Sequence, residues 1–240
     1  GMGFIHMTFR DSLLGIATAP GGQIQRTTDG GKTWTRVASA TDRNLWISAF
    51  ADSNTVVTIG AFGGDGPIVL RSTDAGRTWS SVRNATRGVM FSVDFRGPHF
   101  GLAVGGGGSI LRSRDAGATW ERIEHHLTRT VLRGVSILDD RTAVAVGDDG
   151  VILKTTDGGS TWQRVSSGTT HVLWALHFAN PSFGVAVGMG DAILYTTDAG
   201  TTWHQAPLGV VAQLVSVYAA EDRVLIGGNG GTLIEMRAGK

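Results

Sequence analysis

Hydrophobic residues along the chain come in short runs of four to six, closed by glycine, asparagine, aspartate or proline, without the three-to-four-residue interval of an amphipathic helix. Residues 173–178, Leu-Trp-Ala-Leu-His-Phe, predict one strand, and Asn180-Pro181 predicts the turn that ends it. Residues 184–188 predict a second strand, 192–195 a third, and 202–205 the start of a fourth. That pace reads as an antiparallel meander.

The same unit recurs. An octet S/T-x-D-x-G-x-T-W stands at 27–34, 72–79, 113–120, 155–162 and 196–203, and its aspartates are spaced 45, 41, 42 and 41 residues apart. This is the period of one four-stranded propeller blade. A matching first strand falls at 4–9, 45–50, 90–95, 132–137, 173–178 and 214–219. The expectation is an all-β chain, one six-bladed β-propeller domain with blades at 4–40, 41–85, 86–127, 128–168, 169–209 and 210–240. Its last blade stops after three strands, because no sixth octet follows. The longer first spacing maps to 60–67, where one loop is enlarged.

Composition narrows the function classes. Glycine, 36 of 240 residues, stands at about twice its usual share, as a chain rich in turns requires. Lys+Arg 21 against Asp+Glu 20 excludes the strongly basic footprint of a sequence-independent nucleic-acid binder. The absence of cysteine excludes disulfides and thiolate chemistry, and fits cytoplasm and periplasm equally. No apolar run reaches the length of a membrane-spanning helix, so direct insertion is not expected.

The octets resemble the Asp-box, or BNR, repeat of sialidases, sortilin-type receptors and photosystem II assembly factors. The longer unit, 183–188 followed by 193–198, is most similar to the photosystem II stability and assembly factor family. The resemblance implies a propeller with a role in assembling a protein complex, and leans towards an extracytoplasmic compartment. It does not by itself assign an activity, since the same hairpin serves receptors, hydrolases and assembly proteins.

In the octet, a short aspartate can accept backbone N–H groups, glycine supplies a left-handed residue and tryptophan buries a ring beneath the turn. Asp29, Asp74, Asp115, Asp157 and Asp198 with Trp34, Trp79, Trp120, Trp162 and Trp203 are therefore expected to be structural. A calcium ion wants 6–8 oxygens and each box offers one carboxylate, so no metal and no cofactor is expected. The adjacent His125-His126 would point to opposite faces of a strand.

The sialidase arrangement of tyrosine nucleophile, glutamate partner and arginine triad finds no match, and the chain is expected to be non-catalytic. The alternative is a glycan-binding or glycoside-hydrolase-like funnel. It rests on the fifth positions of the aligned first strands, where Asp94, His177 and Tyr218 could form an acid/base set. The preferred reading is a scaffold binding a protein or peptide partner. Its candidate contacts lie on loops opposite the boxes, at Arg43, Phe62, Arg87, Arg129, Arg133 and His171. Arginine beside aromatic rings is the usual interface cation.

Overall fold

The structure is a computed structural model and describes residues 6–39, 41–60, 67–82, 88–190, 192–206, 209 and 212–237. The first blade comprises β1 (His6–Phe9), β2 (Gly15–Ala19), β3 (Gln23–Thr27) and β4 (Thr35–Val37). The second has β5 (Leu45–Phe50), β6 (Val56–Gly60), β7 (Ile68–Ser72) and β8 (Ser80–Ser81). The third has β9 (Met90–Phe95), β10 (Gly101–Gly105), β11 (Ile110–Ser113) and β12 (Glu121–Arg122). The fourth has β13 (Leu132–Ile137), β14 (Ala143–Gly147), β15 (Ile152–Thr155) and β16 (Gln163–Val165). The fifth has β17 (Leu173–Phe178), β18 (Gly184–Gly188), β19 (Ile193–Thr196) and β20 (His204–Gln205). The sixth has β21 (Leu214–Ala219), β22 (Arg223–Gly228) and β23 (Leu233–Arg237).

Each sheet runs in chain order with antiparallel pairing, five of four strands and the last of three, so the fold is an all-β six-bladed β-propeller. The chain divides into two compact units of three blades each, residues 1–124 and 125–240. Within each unit the first strands of successive blades lie side by side. The second strands β2, β6, β10, β14 and β18 are buried at every residue, which explains their restriction to Gly, Ala, Val, Ile, Leu and Thr. Among the described residues no helix is long and apolar enough to cross a membrane.

The octets close the third and fourth strands in five identical ways. The leading hydroxyl of Thr27, Ser72, Ser113, Thr155 or Thr196 donates to the aspartate Oδ1 at 2.7–2.9 Å. The same oxygen accepts the amide of the octet glycine at 2.8–3.0 Å. The seventh residue, always threonine, gives its amide to Oδ1 at 2.8–2.9 Å. Its hydroxyl goes to Oδ2 at 2.6–2.7 Å. These bonds hold the carboxyl of Asp29 down to about 2, the Thr33 hydroxyl and amide first and the Thr27 hydroxyl after them.

Two consecutive left-handed residues make the turn. The fifth octet position is always glycine, at φ 74 to 85, while the fourth is Ala75, Ala116 or Ala199 at φ 55 to 60 in three of the five boxes. Each alanine costs about 1 kcal/mol there, and the carboxylate bonds offset it. The octet tryptophan meets the last phenylalanine of its own first strand edge-on, as in Phe9–Trp34, Phe95–Trp120 and Phe178–Trp203, with centroids 6.0, 5.7 and 6.1 Å apart.

Three pairs of successive blades are clasped by a cation just before the octet. Arg26 Nε donates to the Ala75 carbonyl at 2.8 Å, Arg71 Nε to the Ala116 carbonyl at 2.8 Å, and Lys154 Nζ to Thr201 Oγ1 at 2.7 Å. In each case the receiving group belongs to the next blade's octet. Replacing Arg71 with methionine keeps the alkyl stem but strips the donor from a partly buried carbonyl, so denaturant unfolding should show a loss of about 2 kcal/mol. The exposed Arg36→Met should change stability by less than about 0.5 kcal/mol, and equal losses for the two would exclude the clasp.

Candidate functional site

Opposite the octets of the second unit, the loops entering each first strand meet the turns between second and third strands. The loop 167–171 is built by hydroxyls: Ser167 Oγ donates to the Thr169 carbonyl at 3.0 Å, and Thr169 Oγ1 accepts the His171 amide at 3.1 Å. The first unit repeats this, with Ser39 Oγ donating to the Thr41 carbonyl at 3.0 Å and Thr41 Oγ1 accepting the Arg43 amide at 3.2 Å. Arg43 and His171 thus hold the same place in two copies of one loop. The turn Asp148–Gly150 packs under its copy so closely that a Cβ on Gly150 would lie 2.0 Å from the Thr169 carbonyl. Its neighbour Asp149 adopts φ 57, a left-handed conformation that aspartate tolerates better than most residues.

Arg133 and Trp174 occupy the second positions of β13 and β17, and the structure brings them together. The Arg133 guanidinium carbon lies 3.9 Å from the centroid of the Trp174 ring. The same guanidinium bonds Asp148 through both Nε and Nη2, the latter at 3.1 Å. Its charge is therefore matched within the loop face. The Trp174 Nε1–H is buried with no hydrogen-bond partner. A cleft of about 750 Å³ is lined by Asp149, which follows the Asp148 that holds Arg133, and by Arg164, Ser167, Thr169 and His171. Arg129, Arg164 and His171 are exposed. Arg164 sits on the outer strand β16, so an inventory of loop residues misses it; its neighbour Val165, paired with Ile152, fixes its placement. Phe62, Arg87 and most of the enlarged loop at 60–67 lie outside the described residues.

The first-strand set divides between the units. His177 and Tyr218 stack in the second unit with ring centroids 5.0 Å apart. Asp94 stands on β9 of the first, where its Oδ1 accepts the Phe95 amide at 2.8 Å. His177 is engaged structurally: its Nδ1 accepts the Ala219 amide of the next first strand at 3.1 Å. His6 does the same in the first unit, its Nδ1 accepting the Ser48 amide at 3.3 Å. Both contacts require a neutral ring. Burial lowers the His177 pKa and takes that of His6 from 6.5 to about 4. Among the described residues no three of His, Asp and Glu gather as a metal site.

Residues 75–170 match the family described as photosynthesis system II assembly factor YCF48, and residues 25–36 match the BNR/Asp-box repeat. Among solved structures, YCF48 bound to D1 peptide is similar at 19% identity over 99% of this chain and 92% of that one, with a TM-score of 0.62. YCF48 from Cyanidioschyzon merolae is similar at 18% identity over 98% of this chain and 96% of that one, with a TM-score of 0.61. The structure of U3-55K is similar at 12% identity over 99% and 78%, with a TM-score of 0.80. No curated protein matches in sequence. The fold and octets define the class: an Asp-box β-propeller. Within that class the chain resembles the photosystem II assembly factor family.

The histidine contacts predict a pH dependence. As pH falls from 6.5 towards 4, the unfolded chain takes up a proton at His6 that the folded chain refuses, so folding stability declines across that window. The variant His6→Asn keeps an acceptor oxygen near the Nδ1 position without titrating. Its urea midpoint should fall less over the same window; a pH profile equal to that of the parent would refute the assignment.

Proposed function

We propose that this chain is a non-catalytic assembly scaffold that binds a peptide or protein segment on the loop face of its second unit. The observation that carries the reading is the cleft lined by Arg164 and His171 around a built loop and closed by Asp149, the neighbour of the Asp148 that holds Arg133 against Trp174, with Arg129 exposed in the segment that enters the strand of Arg133. Arg133, locked onto Asp148, serves there as a rigid wall rather than a free charge. Trp174 adds an aromatic surface held in place by that lock.

Two further points support it. The match to the YCF48 family spans residues 75–170, which include Arg129, Arg133 and the Asp148–Gly150 turn. A related propeller, YCF48, has been solved with D1 peptide. The glycan-binding alternative draws on the His177–Tyr218 contact, but His177 already spends Nδ1 on Ala219.

The test is capture of partners from the source cell, followed by titration of the recovered segment. Replacing Arg129 and Arg164 together with alanine should weaken binding by about tenfold or more, equivalent to about 1.4 kcal/mol, without shifting the unfolding midpoint. Unchanged capture by that variant would refute the face. Turnover on a glycoside panel that disappears with Asp94→Ala would refute the scaffold itself.

A further inference from the structure

Between second and third strands, the middle residue of the turn is left-handed in every blade where it is described. Gly21, Gly107, Gly190 and Gly230 take that place at φ 59 to 69, and in the fourth blade it is Asp149, at φ 57. Glycine adopts this conformation freely, whereas any side chain adopts it at a cost.

The octet alanines bear the same cost, but there the carboxylate bonds of the box offset it. Nothing comparable serves Asp149. Among the described residues its carboxylate has no hydrogen bond and no ion pair, while the adjacent Asp148 is held by Arg133. A Cβ at Gly21, Gly107 or Gly230 would meet nothing within 4 Å, so this position sends its side chain clear of the fold. The acid does nothing for the turn that carries it.

What Asp149 does line is the cleft of about 750 Å³, together with Arg164 and His171. A Cβ on Gly190 would lie 2.8 Å from His171 Cε1, so that ring is seated on bare backbone. The first unit supplies the comparison. Ser39 and Thr41 make the same hydroxyl ties there, and Arg36, Arg43 and Gly21 stand where the second unit has Arg164, His171 and Asp149. Of two copies of one loop, only the second adds an acid to its cations.

We propose, building on the loop-face role above, that Asp149 is the specificity residue of this cleft and selects partner segments with a lysine or arginine side chain. A carboxylate without internal partners accepts a charge-assisted bond from an ammonium or guanidinium, and Arg164 donates to carbonyls or carboxylates of the same segment. An acidic segment meets like charge at Asp149, and a neutral one leaves it without a counter-charge, which is how one side chain discriminates.

The test is selection from a displayed random heptapeptide library on the full chain, in parallel with Asp149→Asn, Asp149→Gly and the double alanine variant of Arg129 and Arg164. Asparagine tolerates the left-handed turn as aspartate does, and so isolates the charge. Lysine and arginine should be enriched among peptides bound by the parent. One such peptide, dye-labelled, should bind Asp149→Asn and Asp149→Gly about tenfold or more weakly by anisotropy. Glutamine in place of its basic residue should weaken binding to the parent to the same degree and change binding to Asp149→Asn little. Asp149→Gly should unfold at a urea concentration no lower than the parent, which separates lost recognition from lost structure; a lower midpoint would overturn the proposal. Peptides that need Arg129 and Arg164 but bind Asp149→Asn as tightly as the parent would also overturn it and leave the loop face standing. Peptides indifferent to all three residues, or no selected peptide at all, would overturn both.

Discussion

The carboxylate of each octet is the constraint from which the rest follows. It takes a hydroxyl and an amide on one oxygen and a second hydroxyl on the other, all from within eight residues. That closed set of bonds lets two left-handed residues stand in succession, even where the first is alanine. Once the turn is fixed, the tryptophan is delivered beneath it and, in three blades, a carbonyl or hydroxyl of the box is presented to the cation of the preceding blade. One local hydrogen-bond set thus specifies a hairpin, a core contact and a joint between blades.

A repeated element that spends its carboxylate and hydroxyls on its own turn has little left with which to choose a partner. Selectivity falls to positions where the blades differ. The Arg133–Asp148 pair and the Trp174 ring meet at one junction, and Asp149, the residue after Asp148, lines a cleft with His171 and Arg164. The sixth blade differs more deeply, with Ala219 where the first and fifth blades carry phenylalanine and Glu235 where others carry the clasping cation. Tyr195 replaces that cation in the fifth blade and stacks on His204 instead, with centroids 5.4 Å apart.

Octet spacing made the blade count, the strand order and the amides that the octet aspartates accept legible from sequence, since each depends on residues close along the chain. What stayed hidden depends on distant partners. Arg26 and Arg71, each just before an octet, look like solvated strand residues until their targets, 49 and 45 residues away, are in place. Arg133 read as an interface cation on the loop face, yet Asp148 folds back 15 residues later to neutralise it. His177 and Tyr218 shared an aligned position and do meet, but the histidine's bond to Ala219 was beyond the reach of alignment.

The most direct measurement compares Asp157→Ala with the parent chain by denaturant unfolding and by partner titration on the folded protein. Removing the carboxylate strands the Thr155 and Thr161 donors and should lower stability by about 1–3 kcal/mol, while affinity per folded molecule stays the same and added calcium changes neither value. Unaltered stability with lost affinity, or a calcium-dependent stabilisation that vanishes in the variant, would contradict a purely structural box.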